Sequence, residues 1–208
     1  MTIQQDFWRN PRKSEDLILP DNYIEYCKPE YYIYLQPVSE YVVKTLRKWS
    51  WQPIEDMCVF EIGCNSGRNL SALKKAGFGH VAGLEINPEC VKIAQEYFPN
   101  IAQSIVVGSI EEKLHTLPYR MDIIFTQGVL MHIPHETINH VATSMVLKKR
   151  HGMIITIEVE HAEWRNVKFA RNYGDIFTSF GMKQLHVKES IGVPYIGMST
   201  LRVFSNID

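Results

Sequence analysis

Short apolar runs alternate with amphipathic stretches along the chain from Val59 onward. Apolar runs of strand length, separated by segments of helical periodicity, are typical of β-α repeats in a largely parallel sheet. Two strands near the C-terminus, with glycines and a proline between them, predict an antiparallel hairpin at the sheet edge. The pattern predicts strands at 57–62, 80–85, 101–107, 121–126, 153–157, 183–187 and 199–204, and helices at 37–49, 68–76, 88–97, 134–149 and 164–180.

Residues 1–36 do not follow this pattern, since they hold three prolines and five of the ten tyrosines. Two interpretations are open. The segment is either a lid whose aromatic rings close over a ligand pocket, or a clasp that only covers apolar helix surface. We therefore expect an N-terminal segment, 1–36, and one domain, 37–208.

The composition limits the function. The chain has 208 residues and a formal net charge of −1, and its one basic cluster, 148–150, is expected at a helix end, where cations complement the dipole. This balance disfavours nucleic-acid binding, which usually needs a basic surplus. Four cysteines without paired spacing favour a reducing, cytoplasmic setting, and neither a signal peptide nor a membrane span is expected.

A glycine-bearing turn follows the first predicted strand, between Glu61 and Gly67. Gly63 and Gly67 allow backbone conformations and a close ligand approach that a Cβ would obstruct, and Asn65 tolerates a left-handed turn. Free N–H groups at the start of the next helix can face a polar or anionic ligand. The segment therefore predicts a nucleotide-binding site, with a plain packing turn as the alternative.

The spacing is not the G-x-G-x-x-G of dinucleotide sites, because Asn65 and Arg68 stand at the second and third glycine positions. Glu61-x-Gly63-x-x-x-Gly67 instead resembles the first motif of class I S-adenosylmethionine-dependent methyltransferases. This resemblance implies a Rossmann-like three-layer α/β/α sandwich, with a seven-stranded, mostly parallel sheet and an antiparallel edge strand. It also implies S-adenosyl-L-methionine as the cofactor and S-adenosyl-L-homocysteine as the product.

Further segments extend the resemblance over about residues 57–160. Glu85 ends the second predicted strand, where a carboxylate can accept hydrogen bonds from both ribose hydroxyls. Ser109 stands where the family commonly has an acid for the adenine amino group, and its hydroxyl could serve there or only cap a helix. The implied cofactor-binding residues are Glu61, Gly63, Cys64, Asn65, Gly67, Glu85, Ile86, Asn87, Gly108, Ser109, Ile110, Gln127, Gly128 and Val129.

The segment from Asp122 to Pro134, at the fourth strand and after it, resembles the fourth motif of small-molecule methyltransferases. The residue sequences of this motif and the first motif together are most similar to those of methylases associated with pseudaminic acid and related surface sugars. The resemblance places His132 near the transferred methyl group, where an imidazole could take the acceptor's proton. A histidine that only packs against the pocket wall is the other interpretation.

Polar residues near the carboxyl ends of strands are candidates for selecting the acceptor, among them Glu158, Glu160, His161 and Trp164 after the fifth predicted strand. Arg171 is among them, although it is predicted on a helix whose solvated face is the other interpretation of this residue. A metal site is not expected, because the histidines at 132, 135 and 140 lack a carboxylate at ligand spacing. The candidate acceptor-binding residues are Tyr31, Tyr32, His132, Glu160, His161 and Arg171.

These features predict an enzyme that transfers a methyl group from S-adenosylmethionine to an oxygen or nitrogen of a small molecule. The implied reaction is an in-line displacement that depends mainly on positioning. The alternatives are a nucleic-acid methyltransferase, a non-catalytic S-adenosylmethionine-binding subunit and a nicotinamide-dependent oxidoreductase. The first of these lacks both a basic face and an Asp/Asn-Pro-Pro-aromatic motif. We expect a monomer or homodimer, with no nucleic-acid or membrane partner.

Overall fold

A seven-stranded, mostly parallel sheet flanked by helices dominates the computed structural model, which describes residues 27–28, 36–117, 121–161, 169–193 and 197–206. The strand order is β3-β2-β1-β4-β5-β7-β6. The predicted fold class, including its antiparallel edge, is confirmed. The strands are β1 (Cys58–Ile62), β2 (His80–Glu85), β3 (Ile105–Val107), β4 (Met121–Gln127), β5 (Lys149–Glu158), β6 (Lys183–Val193) and β7 (Gly197–Ser205).

Helices lie between successive strands from β1 to β6 along the described chain. None of the described helices is long and apolar enough to cross a bilayer. The helices are α1 (Gln36–Trp49), α2 (Arg68–Lys75), α3 (Pro88–Tyr97), α4 (Pro99–Ala102), α5 (Ile110–Lys113), α6 (Ile138–Lys148) and α7 (Tyr173–Ser179).

The chain divides into two compact units. The first contains the described residues of 1–57 and 64–109. In it, β2 and β3 pair in parallel, with Glu85 opposite Val107. Apolar residues of its helices and of β2 are buried, because each of these elements turns one apolar face inward. Among them are Val42, Leu46, Leu70, Leu73, Leu84, Cys90 and Ala94.

The second unit contains the described residues of 58–63 and 110–208. Its β1, β4 and β5 run parallel, with Ile62 opposite Thr126 and Gln127 opposite Ile157. β7 runs antiparallel to both β5 and β6. Because parallel strands end at the same edge of a sheet, the residues after β1, β4 and β5 come close together.

The prediction of a strand from Ile101 is wrong. Pro99 starts a short helix instead, α4, and β3 begins only at Ile105. Proline suits the first position of a helix, because its missing N–H would have no helical partner there. The N–H of Ser104 then donates to the carbonyl of Ile101 (2.9 Å), which ends the helical turn.

The predicted helix 164–180 is also wrong over its first half. α7 begins at Tyr173, where the side chain of Asn172 caps it by accepting a hydrogen bond from the N–H of Gly174 (2.8 Å). Residues 162–168 lie outside the described residues, and 169–172 are irregular. Arg171 is therefore not on a helix, contrary to the prediction.

Smaller differences concern element ends. α6 starts at Ile138 rather than near Pro134, because the N–H of Ile138 donates to the carbonyl of Pro134 in a preceding turn. The basic cluster 148–150 spans the end of α6 and the start of β5. Of the N-terminal segment 1–36, only residues 27, 28 and 36 are described, so the lid and clasp interpretations, with Tyr31 and Tyr32, lie outside the described residues.

Candidate cofactor and acceptor sites

The turn after β1 has the left-handed backbone that its sequence predicts. The φ angles are +70° at Gly63, +53° at Asn65 and +79° at Gly67. The Asn65 side chain accepts a hydrogen bond from the N–H of Ser66 (2.7 Å), and the N–H of Gly67 donates to the carbonyl of Cys64 (2.9 Å). Asparagine tolerates this conformation because its short polar side chain can bond locally, as it does here.

Gly63 is also required by packing within the second unit. A Cβ on Gly63 would lie 2.3 Å from Cγ2 of Val129, far inside van der Waals contact. The chain after β4 therefore packs directly on the glycine that follows β1. Both residues are among the predicted cofactor-binding positions, and the structure brings them together.

Glu85 ends β2 with a carboxylate that is only 7% exposed. Its Oε2 accepts the N–H of Asn65 and its Oε1 accepts the N–H of Asn87, both at 2.8 Å. Burial raises the pKa of Glu85, and hydrogen bonds from the backbone of Asn87, Asn65 and Ile86 oppose that rise. Since each carboxylate oxygen has two lone pairs, both oxygens retain capacity for a further donor such as a ribose hydroxyl.

Asn87 adds a second polar group beside Glu85. Its Oδ1 caps α3 by accepting the N–H of Glu89 (2.9 Å). Its Nδ2 is buried, and no described residue accepts a hydrogen bond from it. A buried donor without an acceptor is costly, so this amide fits a site that a polar ligand completes. Ser109, also buried, directly precedes α5.

These groups of the first unit fit the adenosine part of S-adenosylmethionine. That moiety offers ribose hydroxyls as donors for Glu85 and hydroxyl or ring acceptors for a side-chain amide. The N–H of Gly108 donates to the carbonyl of Glu85 (2.9 Å), which keeps the ends of β2 and β3 together.

The other predicted cofactor residues lie on or beside strand ends. Glu61 lies in β1 opposite Phe125, and Gln127 ends β4 opposite Ile157. Ile110 begins α5, while Cys64 and Ile86 directly follow Gly63 and Glu85 in the chain.

The post-β4 loop, residues 128–133, carries the rest of the fourth motif. Gly128 has a φ of +66°, and its N–H donates to the carbonyl of Ile157 (2.9 Å). A 3₁₀ turn, Leu130–His132, follows, in which the N–H of His132 donates to the carbonyl of Val129 (2.9 Å). His132 is half-buried at the end of this turn.

Glu158, the last residue of β5 and one of the polar residues considered for acceptor selection, lies under this loop. It is fully buried. Its Oε1 accepts the N–H of Val129 (3.1 Å) and its Oε2 that of Met131 (3.3 Å). Burial raises the pKa of Glu158 to about 7, while hydrogen bonds from Thr126 and from the loop backbone act to lower it.

A polar cleft of about 520 Å³ lies in the second unit. It brings together three of the predicted acceptor-binding residues, Glu160, His161 and Arg171. Its volume is within the range that small-molecule ligands occupy. The lining residues are Glu160, His161, Ala170, Arg171, Asn172, Glu189 and Arg202.

Glu160 and Arg202 form a buried two-pronged ion pair in the wall of this cleft. Nε and Nη2 of Arg202 donate to the two carboxylate oxygens of Glu160 at 2.7 and 2.8 Å. Nη1 of Arg202 donates to Gln184 (2.7 Å), and Glu160 raises the pKa of Arg202. The Glu160 carboxylate therefore has a structural partner that the sequence did not predict.

Arg171 connects the cleft to the post-β4 loop. Its Nη2 donates to the carbonyl of Ile133 (2.7 Å), and its guanidinium lies over the ring of Phe169 at 5.3 Å. Burial lowers the pKa of Arg171, an effect that nearby Glu158 opposes. The predicted alternative of a solvated helix face is wrong, because the side chain is half-buried and bonded to the loop.

The three histidines considered for a metal have different surroundings. The ring of His135 contacts Phe169 at 5.1 Å, and that of His140 lies 6.3 Å from His115. Among the described residues, no three His, Cys, Asp or Glu side chains are grouped so that they could hold a metal ion.

Two signals in the sequence could have indicated the contact that Glu158 makes with the loop and the buried Arg202. Glu158 ends an apolar run, as Glu85 ends β2, and an acid in that position repeats a pattern already used for the cofactor. Arg202 interrupts an apolar strand between Leu201 and Val203, and a charge within a buried strand needs a partner.

The family comparison agrees with this geometry. Residues 59–148, a little under half of the chain, match the model of a family described as a methyltransferase domain. The matched segment contains the turn after β1, Glu85 and the post-β4 loop. Among curated proteins no match was found.

Solved structures share the fold. Magnesium protoporphyrin IX methyltransferase from Synechocystis PCC 6803 with bound SAH aligns with a TM-score of 0.68 at 15% identity, over 97% of this chain and 98% of that chain. The N-methyltransferase NodS from Bradyrhizobium japonicum WM9 gives 0.63 at 18% identity, over 91% and 100%. A chain of a complex that contains the Haloferax volcanii Trm112 methyltransferase activator gives 0.65 at 17% identity, over 91% and 100%.

The Rossmann-like sheet and the matched domain define the class of protein. The chain is an enzyme that carries a methyltransferase domain, an S-adenosylmethionine-dependent methyltransferase with a Rossmann-like sheet. Its cofactor is S-adenosyl-L-methionine, which the methyltransferase domain implies. The predicted enzymatic nature and cofactor are thereby confirmed.

Proposed function

We propose that this methyltransferase acts on an oxygen or nitrogen of a small molecule that binds in the polar cleft. The observation that carries the proposal is the meeting of Glu160, His161 and Arg171 in one cleft of about 520 Å³. The cleft adjoins the post-β4 loop, because Arg171 donates to Ile133 and the N–H of Phe169 donates to the carbonyl of Met131 (2.8 Å). The likeness of the motifs to surface-sugar methylases favours a sugar-derived acceptor.

Glu85 is proposed to bind the ribose hydroxyls, with Asn87 and the turn at Asn65 beside it. In the second unit, Gly128 and Val129 are proposed to contact the methionine part. When bound, S-adenosylmethionine supplies an electrophilic methyl group on a sulfonium. Catalysis then requires mainly that the acceptor atom be held in line with that methyl group.

His132 is the proposed base. With a hydroxyl acceptor, a bond forms from its oxygen to the methyl carbon, the bond from sulfur to that carbon breaks, and the proton passes to the imidazole. A histidine suits this step near neutral pH, because its unperturbed pKa is about 6.5. An uncharged amine acceptor needs the base less, since it can attack before it loses a proton.

The first test is calorimetric titration of the protein with S-adenosylmethionine and S-adenosylhomocysteine, compared with Glu85→Ala and Glu85→Gln. We expect micromolar binding that weakens about a hundredfold in either variant, since each hydrogen bond to a charged group contributes about 1.5–3 kcal/mol. Glu89→Ala is the matched control, because Glu89 is an exposed carboxylate of the same unit. Absence of binding by the unaltered protein would contradict the assignment.

The acceptor can then be sought by transfer of an isotopically labelled methyl group to candidate sugars, nucleotide-sugars and amines. Turnover that is lost in His132→Ala, with cofactor affinity retained, would support the proposed base. Cofactor binding without turnover on any acceptor would instead favour the alternative of a non-catalytic subunit. Transfer to nucleic acid would favour the other alternative.

A further inference from the structure

The post-β4 loop is held from two sides within the second unit. On one side, Glu158 accepts the N–H groups of Val129 (3.1 Å) and Met131 (3.3 Å). On the other, the N–H of Phe169 donates to the carbonyl of Met131 (2.8 Å), and Arg171 donates to that of Ile133 (2.7 Å). A loop whose N–H groups and carbonyl groups are both hydrogen-bonded to neighbouring segments has few alternative conformations.

On the first side, Glu158 alone supplies the side-chain acceptors for the N–H groups of Val129 and Met131. It is the last residue of β5, so the sheet fixes its backbone, and its side chain is completely buried. Replacing its carboxylate by an amide leaves one acceptor oxygen and places an NH2 donor where the second backbone N–H needs an acceptor.

We propose that Glu158 is a positioning residue of this methyltransferase, which holds the post-β4 loop so that Gly128, Val129 and His132 meet cofactor and acceptor correctly. The inference rests on the proposed function, in which that loop contacts the methyl donor. In this proposal Glu158 does not itself contact substrate or cofactor. It acts through the backbone of the loop.

The positioning depends on the charge of Glu158. Hydrogen bonds from the loop N–H groups lower the pKa of Glu158, so an opening of the loop that breaks these bonds while the carboxylate stays buried is opposed when Glu158 is ionised. Burial opposes ionisation and brings the pKa to about 7. Loop order is therefore expected to increase as the pH rises through 7.

Two charged or titratable groups interact directly with Glu158, and His132 of the same loop, whose type titrates near neutral pH, is present in both the unaltered protein and Glu158→Gln. Arg171 interacts with Glu158 and stays cationic, although burial lowers its pKa. Tyr173 also interacts with Glu158, and burial raises the pKa of its hydroxyl well above the ordinary value, so it stays neutral. Beyond these, Glu136 acts on Arg171 and Glu160 acts on Tyr173.

The first experiment needs no ligand. Amide hydrogen exchange of the peptide that covers the post-β4 loop is measured from pH 6 to pH 8, corrected at each pH for intrinsic exchange. Because a group with a pKa of about 7 goes from mostly protonated to mostly ionised over this range, protection in the unaltered protein is expected to rise up to about tenfold. Glu158→Gln should show lower protection with no such rise.

The second experiment uses S-adenosylhomocysteine as the probe. Its affinity is expected to be about tenfold weaker in Glu158→Gln than in the unaltered protein at pH 8, and nearly equal in the two at pH 6. Should Glu158→Gln fail to fold, Glu158→Asp retains the charge on a shorter arm. That variant should keep the pH dependence with a lower protection of the loop.

Asp122→Asn is the matched control. Asp122 is a buried carboxylate of the same unit that accepts a backbone N–H, that of Cys58 (2.8 Å), at the start of β4. The control should bind S-adenosylhomocysteine with the affinity and pH dependence of the unaltered protein. Titration of the ligand itself affects all variants equally, so it cannot explain a difference that only Glu158→Gln shows.

Loop protection and ligand affinity that Glu158→Gln leaves unchanged would overturn the proposal. If the unaltered protein binds no S-adenosylhomocysteine, the proposed function fails. The exchange experiment still decides the role of Glu158, since it requires no ligand.

Discussion

Gly63 combines two constraints in one residue, a left-handed backbone and a contact with Val129. Its φ is +70°, and an added Cβ would lie 2.3 Å from the Val129 side chain. We expect Gly63→Ala to lower the free energy of unfolding by about 2–4 kcal/mol. Of this, about 1 kcal/mol comes from the backbone and the remainder from overpacking. Urea unfolding and S-adenosylhomocysteine titration would measure the effect.

Gly181 provides the control, because its φ is +78° and nothing lies within 4 Å of its would-be Cβ. Gly181→Ala should show the backbone cost alone, about 1 kcal/mol, without loss of ligand affinity. Val129→Ala combined with Gly63→Ala should recover part of the stability. Equal losses in the two glycine variants would contradict a role for the Val129 contact.

Between elements, the pair of Glu160 with Arg202 connects the chain after β5 to β7. The pair is buried and two-pronged, and its members are 42 residues apart. Arg202→Met should lower the free energy of unfolding by about 3–5 kcal/mol, because it leaves a buried carboxylate without its partner. Thermal and urea unfolding would test this.

Removing both charges is the informative comparison. The double variant, Arg202→Met with Glu160→Gln, should be more stable than Arg202→Met alone, since no unpaired charge remains. Independent, additive losses would show that the two side chains do not form the pair in solution. Glu160 would then again be available as an acceptor-binding residue.

For the whole molecule, Glu158 makes stability depend on pH. Its pKa is about 7 in the folded protein and near 4.5 when exposed. The unfolded chain therefore loses this proton first, and the free energy of unfolding falls as the pH rises from about 4.5 to 7, by about 3 kcal/mol. Above pH 7 the contribution of Glu158 to the free energy of unfolding should be constant.

Comparison with Glu158→Gln isolates this effect, because Glu85, whose pKa is also raised, remains in both proteins. The variant should gain stability relative to the unaltered protein between pH 5 and 7, measured by urea unfolding. At pH 8, by contrast, Glu158→Gln should bind S-adenosylhomocysteine more weakly than the unaltered protein. A difference in stability that does not vary with pH would contradict the raised pKa.

The sequence by itself determined the strand–turn–helix at Gly63–Gly67, the strand that ends at Glu85 and the helix that starts at Pro88. These features depend on each residue's own backbone preferences and on neighbours a few positions away, so they can be read locally. The start of β3 was predicted wrongly because an apolar run ending in Val107 does not reveal that Pro99 favours a helical turn over its first residues.

Only the tertiary structure decided the surroundings of Glu158, Glu160 and Arg171. Glu158 meets Val129 across 29 residues, and Arg171 meets Ile133 across 38. Such contacts are set by the parallel register of β4 and β5 and by the antiparallel return of β7, which no local preference encodes. The sequence therefore specified which residues can make a turn or carry a charge, while the pairing of distant strands determined which groups those charges bind.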